Sequence, residues 1–220
     1  MLGAGDRAGI VGCQRSIVSV IKILAISDQP VDSLHSPNVQ TRFGSVDLII
    51  SCGDLPYHYL DYIVTLLGKP MYFVHGNHDR DYEYTETGKR YLAPRGAESL
   101  DMRSIVTEQG LILAGLEGSI RYDPASSHQY TQEQMTRRAW QLSLKLIRNR
   151  ARYGRYLDVL VTHSPPFGIN DGPDAAHIGF KAINTLIRRF QPRLVLHGHR
   201  HFYTGTRPSV QLGVTRIINV

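Results

Sequence analysis

Residues 71–79 read Met-Tyr-Phe-Val-His-Gly-Asn-His-Asp, an apolar run that ends in the polar cluster Gly76-Asn77-His78-Asp79. Five other short apolar runs end in polar residues in the same way, and a last run reaches the C-terminus. These runs are rich in Val, Ile and Leu, which is typical of buried β-strands. They lie at residues 18–26, 47–52, 111–116, 157–162, 194–196 and 215–220.

Helical patterns lie between the predicted strands. Residues 55–67 and 180–190 carry apolar side chains at helical spacing. Thr131 and Gln134 have the spacing of a capping box, so a helix is predicted to begin there, and Gly154 is placed to end it. Because strands and helices alternate along the whole chain, the sequence predicts an α/β fold.

Length and composition fit one soluble domain. The 220 residues are 42% hydrophobic and 20% charged, which excludes a largely disordered chain, and no apolar run reaches the roughly 18–20 residues of a membrane span. We expect a loose extension at residues 1–17 and a single domain at 18–220, in which residues 80–102 form a surface excursion. Two cysteines, Cys13 and Cys52, are too few for a disulfide scaffold and fit a reducing compartment. We therefore expect a cytoplasmic protein with no membrane partner, and leave its oligomeric state open.

The positive charge of the chain is concentrated in one segment. The net charge is +6, yet without this segment the chain has eighteen cations against nineteen anions, a net charge of −1. A basic stretch can attract nucleic acid, an acidic membrane surface or a charged substrate, but we expect a solvated helix face. The seven cations are Arg137, Arg138, Lys145, Arg148, Arg150, Arg152 and Arg155.

The polar residues behind the predicted strands share one chemistry. In an open α/β sheet the carboxyl ends of the strands meet at one edge, so these side chains can converge although they are far apart in sequence. Carboxylate, amide and imidazole ligands together suit Mn, Fe or Zn, and the ligand types exclude an all-oxygen calcium site and an all-thiolate zinc site. The residues are Asp28, Asp54, Asn77, His78, His163, His199 and His201.

This order of motifs resembles the calcineurin-like metallophosphoesterase superfamily, from about residue 19 to the C-terminus. The matching segments are Asp28, Gly53-Asp54, Gly76-Asn77-His78-Asp79, His163 and Gly198-His199-Arg200-His201. The resemblance implies a four-layer αββα sandwich of two mixed β-sheets flanked by helices. It also implies a dinuclear metal centre that hydrolyses phosphate esters. The loop 163–168, His-Ser-Pro-Pro-Phe-Gly, is similar to a bacterial branch near the brain-expressed phosphodiesterases.

The resemblance also implies a role for each matching residue. The first metal would be held by Asp28, Asp54 and His201, and the second by Asp54, Asn77, His163 and His199, with Asp54 as the bridge. His78 would act beside the scissile phosphate and Asp79 would orient it. Asn77, His78 and Arg200 would contact the substrate phosphate.

One position departs from the family pattern. The superfamily's first motif is usually Asp-x-His, whereas this chain has Asp28-Gln29-Pro30. Proline has no side-chain ligand, so the first metal site is expected to be weaker, or to be completed by water or another side chain. His35 and His58 are near the motifs in sequence, but neither has the right spacing.

The leading hypothesis is a metal-dependent hydrolase of small phosphate esters, a phosphodiesterase or phosphomonoesterase that uses metal-activated water and two Mn, Fe or Zn ions. The nearest alternative is a nuclease with the same centre, in which the basic helix holds a polynucleotide with steep salt dependence. A second alternative is a catalytically weak interaction module of the same fold. The intact His78 argues against that second alternative.

Overall fold

The computed structural model describes residues 20–80, 82–84, 88, 90–91, 93–201 and 208–220. The predicted extension at residues 1–17 therefore lies outside the described residues. Within them, no helix combines the length and the apolar character needed to cross a bilayer.

Strands and helices alternate over residues 23–73 and 132–197, whereas the described residues between these ranges form strands without a helix, so the predicted alternation along the whole chain was wrong there. The helices are α1 (Val39–Phe43), α2 (Tyr57–Leu67), α3 (Gln132–Tyr153) and α4 (Lys181–Phe190). The strands are β1 (Ile23–Ile26), β2 (Leu48–Ser51), β3 (Met71–Phe73), β4 (Glu83–Tyr84), β5 (Arg90–Tyr91), β6 (Ala97–Ser99), β7 (Ser104–Val106), β8 (Ile112–Leu116), β9 (Ser119–Ile120), β10 (Gln129–Tyr130), β11 (Val159–Thr162), β12 (Leu194–His197), β13 (Ser209–Leu212) and β14 (Thr215–Asn219).

Two larger sheets carry the fold. The first has the order β1-β2-β3-β6, and its described pairs are all parallel. The second has the order β13-β14-β12-β11-β8-β7 and is mixed, with antiparallel pairs at both of its ends. The predicted α/β sandwich is therefore confirmed, except that only the second of the two sheets is mixed within the described residues.

Three apolar clusters separate four layers. One lies between the first sheet and α1 with α2, one lies between the two sheets, and one lies between the second sheet and α3 with α4. Leu48, Ile50 and Leu113 are fully buried between the sheets, together with Cys52. The two sheets are thereby fixed against each other, and their carboxyl ends lie at one edge.

The predicted helices are confirmed within one or two residues at their ends. Thr131 Oγ1 accepts a hydrogen bond from the Gln134 backbone N–H, and Gln134 Oε1 accepts one from the Thr131 backbone N–H, so the capping box at the start of α3 is formed. Gly154 ends α3 in the left-handed conformation, with φ 74°.

The prediction of a surface excursion at residues 80–102 was wrong in its last part. Ala97–Ser99 form β6, which pairs in parallel with β3 at the edge of the first sheet, and Leu100 is fully buried between the sheets. β6 has only three residues, so no periodic pattern marked it in the sequence.

Candidate metal centre

The predicted ligands lie in loops at the carboxyl ends of five parallel strands from both sheets. Backbone hydrogen bonds connect these loops: Asp28 N–H donates to Gly53 O at 3.0 Å and Gly198 N–H donates to His163 O at 3.0 Å. The loops are those after β1, β2, β3, β11 and β12, so residues up to 172 positions apart become neighbours.

Three of the predicted ligands have strained backbones. Asp28, Asp54 and His199 have φ values of 63°, 59° and 71°, in the left-handed region that non-glycine residues seldom adopt. Such strain costs about 1–3 kcal/mol per residue and persists where the surrounding structure imposes it, which is common at functional sites.

Glycines next to the predicted ligands allow the loops to approach closely. A Cβ at Gly53 would lie 2.8 Å from His163 Nδ1, and a Cβ at Gly76 would overlap the Asp54 carboxylate and lie 2.7 Å from His163 Cε1. At Gly198 an added Cβ would overlap Ser27 and lie 2.5 Å from Asp28 Oδ2. Each motif therefore needs its glycine, because a larger residue there would collide with a side chain in or next to another motif.

Four side-chain atoms converge on one point between these loops. His163 Nε2 lies 3.0 Å from Asn77 Oδ1, 3.2 Å from His199 Nδ1 and 3.3 Å from Asp54 Oδ2. Asn77, His163 and His199 are buried, and the Asp54 side chain is nearly so. The predicted second ligand set, Asp54, Asn77, His163 and His199, is thus brought together.

Hydrogen bonds on the far side of each group determine which atom faces this point. His163 Nδ1 lies 2.7 Å from Cys52 O, and His199 Nε2 lies 2.8 Å from Ala176 O, so each ring donates its N–H to a carbonyl. Asn77 Nδ2 donates to Tyr122 Oη at 2.9 Å, which turns Oδ1 inward. Two imidazole lone pairs, an amide oxygen and a carboxylate oxygen therefore meet without a donor among them, an arrangement that a cation stabilises.

Burial and neighbouring charges shift the pKa values of three of these groups. Burial lowers the pKa of His163, but the Asp54 carboxylate outweighs burial and raises it to about 9. Burial and the neighbouring charge of His163 lower the pKa of His199 to about 3. Burial raises the pKa of Asp54, yet His163 and the His78 N–H hold it well below its ordinary value.

The predicted first ligand set is assembled only in part. Both Asp28 carboxylate oxygens accept from the His199 backbone N–H at 3.0 Å. His201 is exposed, and its Nδ1 lies 3.3 Å from Gln29 Nε2. Asp28, Gln29, Arg200 and His201 line one cavity of about 740 Å³, so these residues share a single opening.

Neither histidine considered as a replacement at Pro30 lies at this opening. The His35 ring packs against the rings of Tyr62 and Tyr59, with centroids 4.5 and 5.8 Å apart. His58 lies on α2 and is exposed at the rim of a second cavity of about 830 Å³, which Asp79 also lines.

His78 bonds to Asp54 through its backbone, whereas Asp79 bonds to the neighbouring turns through its side chain. The His78 backbone N–H donates to Asp54 Oδ1 at 2.8 Å, while its side chain is exposed. Asp79 Oδ2 accepts from the backbone N–H groups of Gly76 at 2.7 Å and Asp54 at 2.9 Å. Asp79 therefore holds the two turns together, and its predicted contact with the His78 ring stays a prediction.

The loop after β11 is also held from within. Asp171 Oδ2 accepts from the backbone N–H groups of Gly168 and Gly179, at 2.9 and 3.2 Å. The His177 ring lies 5.0 Å from the His199 ring, between centroids, and its Nδ1 is 2.7 Å from Asp174 Oδ1. This loop supplies the Ala176 carbonyl that orients His199.

A second buried cluster of polar side chains, around Glu117, was not predicted from the sequence. Glu117 places Oε2 2.9 Å from His75 Nδ1 and Oε1 3.4 Å from His128 Nδ1, and Tyr130 Oη and Arg138 also approach Oε1. These side chains could hold an ion by their types, but the two imidazole rings are nearly parallel, at 16° and 4.6 Å. In-plane lone pairs of parallel rings do not point at one ion, whereas one carboxylate can serve both rings. The group therefore fits an ion-paired network behind the metal centre.

Tyr122 and the carbonyls of Cys52 and Ala176 were also missed. They act by orienting Asn77, His163 and His199, and they come from loops distant in sequence. No motif marks such partners, because their contribution depends on the fold alone.

A sequence model of calcineurin-like phosphoesterases matches residues 11–203. The chain belongs to the calcineurin-like phosphoesterase family. The family match and the convergent ligand atoms support a metal-dependent phosphoester hydrolase.

Solved structures agree with the family fold. The crystal structure of TT1561 from Thermus thermophilus is 16% identical, with 91% of this chain and 89% of that chain covered and a TM-score of 0.58. A second crystal structure is 15% identical, with 90% and 89% covered and a TM-score of 0.58. At these identities the likeness concerns the fold alone. No curated protein matches the chain.

Proposed function

We propose that this protein hydrolyses small phosphate esters, as a phosphodiesterase or phosphomonoesterase, with two divalent transition metals. The observation that carries the proposal is the convergence of four acceptor atoms, from Asp54, Asn77, His163 and His199, with their donors turned away. Carboxylate, amide and imidazole donors suit Mn, Fe or Zn.

The two metal positions are proposed to be unequal. The four convergent groups form the tighter site, and Asp28, Asp54 and His201 form the weaker one, with Asp54 shared. When bound, two such cations polarise a phosphoryl group and lower the pKa of a water to near neutrality. Since Pro30 offers no ligand and His201 is exposed, the weaker site has fewer ligands and one of them lies open to solvent.

The roles of the remaining residues follow from their exposure. The His78 backbone bonds to Asp54 and its imidazole is exposed, so we assign it the donation of a proton to the leaving oxygen of the ester. The guanidinium of Arg200 shares a cavity with Asp28 and His201, where it can bind a phosphate oxygen pair. Asp79 connects the Gly76 and Asp54 turns through its hydrogen bonds, and so it holds the loops that carry His78 and Asp54 in place.

Activity on chromogenic phosphodiesters and phosphomonoesters tests the proposal. The metal-loaded protein should hydrolyse at least one class, and Asp54→Ala should abolish this because both sites lose a ligand. His78→Ala should keep bound metal and lose roughly 100-fold or more in kcat. His35→Ala, an exposed histidine packed on α2, is the matched control and should retain activity. Normal turnover by Asp54→Ala after chelation would refute the assignment.

The same assay separates the alternatives. A nuclease would prefer a polynucleotide over small esters and would bind it with steep salt dependence. An interaction module would bind metal and turn over neither class. We favour a hydrolase over an interaction module because the four acceptor atoms of the proposed tighter site converge and the His78 side chain is exposed.

A further inference from the structure

Helix α3 exposes a second apolar stripe. Its inner face is buried through Met135, Ala139, Leu142 and Leu146. On another face, Trp140, Leu144 and Ile147 are 64%, 45% and 43% exposed. The spacings of four and three residues place these three side chains next to one another on the helix surface. We call them the outer stripe.

Basic side chains surround the outer stripe. Arg137 precedes Trp140 by three residues and Arg148 follows Leu144 by four, so both border it, and both are exposed. Together α3 and α4 contain one acidic residue, Glu133, against nine cations. Some of these cations are engaged, since Arg138 bonds Asp101 and Lys145 bonds Met102 O. The layer of helices over the second sheet is nevertheless strongly basic on its outside.

The surface matches an anionic bilayer better than other partners. Leu144 and Ile147 offer no aromatic face for stacking bases, as a polynucleotide would need. A second copy of the chain would place like charges against each other in a two-fold contact. Neither of the two cavities described above includes a residue of α3, so they offer no groove here for a partner helix. A fluid, flat, anionic surface accepts protruding apolar side chains and pairs with arginines at the same depth.

We propose that the outer stripe and its bordering arginines dock this protein on anionic lipid membranes. The contact is peripheral: α3 lies in the plane of the interface and Trp140 enters the headgroup region, where tryptophan is favoured. The expectation of no membrane partner was based on the missing spanning segment, which such a contact does not require. The inference is independent of the reaction proposed above.

The sole tryptophan of the chain makes the test direct. Because Trp140 is that residue, its emission reports the stripe without a label. Vesicles of phosphatidylcholine with phosphatidylglycerol should shift the emission to the blue, and brominated lipids should quench it. Vesicles of phosphatidylcholine alone should bind far more weakly, and salt should weaken binding to the anionic ones.

Variants locate the contact. Leu144→Ser with Ile147→Ser, and separately Arg137→Gln with Arg148→Gln, should each weaken vesicle binding roughly tenfold or more. Leu66→Ser, at a 37% exposed leucine on α2, is the matched control and should bind as the natural protein does. Circular dichroism and thermal unfolding of all three should match those of the natural protein, which shows that they fold.

Three results would overturn the proposal: no emission shift with anionic vesicles, unchanged vesicle binding in both double variants, or binding without quenching of Trp140. A shift produced by a polynucleotide or an acidic helical peptide, but not by vesicles, would likewise reject the membrane and identify the other partner.

Discussion

Tyr122 is expected to set the affinity of the metal centre without touching the metal. Its hydroxyl accepts the hydrogen bond from Asn77 Nδ2 at 2.9 Å, and this bond turns Asn77 Oδ1 toward His163. Tyr122→Phe removes the acceptor but keeps the ring. Asn77 is 5% exposed, so its amide has few other partners, whereas Tyr122 is 42% exposed and lets water approach.

The size of the effect follows from these exposures. A net hydrogen bond contributes about 0.5–1.5 kcal/mol, and partners behind metal ligands typically change affinity 10–100-fold. Because water can replace the hydroxyl in part, we expect an effect below the usual range for such partners, a loss of about three- to tenfold in metal affinity at the tighter site.

Calorimetric titration of the metal-free protein with Mn²⁺ measures this loss. Tyr153→Phe, on α3, is the control and should leave the affinity unchanged. Thermal unfolding without metal should be nearly the same for both variants. Tyr122→Phe that binds Mn²⁺ within twofold of the natural protein would refute the idea that this bond orients Asn77.

Three other substitutions test the packing around the metal centre, the buried Glu117 network and the weaker metal site. Gly76→Ala should lose metal binding, because the added Cβ would overlap the Asp54 carboxylate. Gly154→Ala is the control: its Cβ meets open space, so this variant should keep metal binding despite a small loss of stability. Equal metal content in the two variants would contradict the packing argument. Glu117→Gln should cost about 2–3 kcal/mol of unfolding free energy in urea at pH 7, because buried hydrogen bonds to a charge are lost. Burial raises the pKa of Glu117, but its hydrogen-bonded neighbours outweigh burial and hold the pKa below the ordinary 4.5. The difference in unfolding free energy between the natural protein and Glu117→Gln should therefore be full above pH 4.5 and shrink as the pH falls further. A difference that does not change with pH would count against the ion-paired network. Pro30→His should raise the affinity of the second metal equivalent in a titration, and two equally tight sites in the natural sequence would show that the missing histidine has no effect.

The sequence was sufficient for the framework of the fold and most of the site. Short apolar runs that each end in polar residues predicted buried parallel strands, and the carboxyl ends of those strands do meet. Asp54, Asn77, His163 and His199 were among the seven residues predicted to converge because each follows a strand, and the family resemblance implied their grouping as one metal site.

What the sequence could not show depends on contacts between distant loops. β6 was missed because three residues carry no periodicity. Tyr122 and the Ala176 carbonyl act only through the groups they orient, and the outer stripe of α3 is visible only when the buried face is known. The prediction of a solvated basic face was right for Arg148 but not for Arg138, whose ion pair with Asp101 is partly buried.

The most direct test of the central claim is a metal titration of the metal-free protein and of His163→Ala. His163 Nε2 lies within 3.3 Å of the three other acceptor atoms, so it is the centre of the proposed site. We expect one tight equivalent of divalent metal in the natural protein and its loss in His163→Ala, with the fold checked by circular dichroism. No tight equivalent in the natural protein, or the same affinity in a folded His163→Ala, would contradict it.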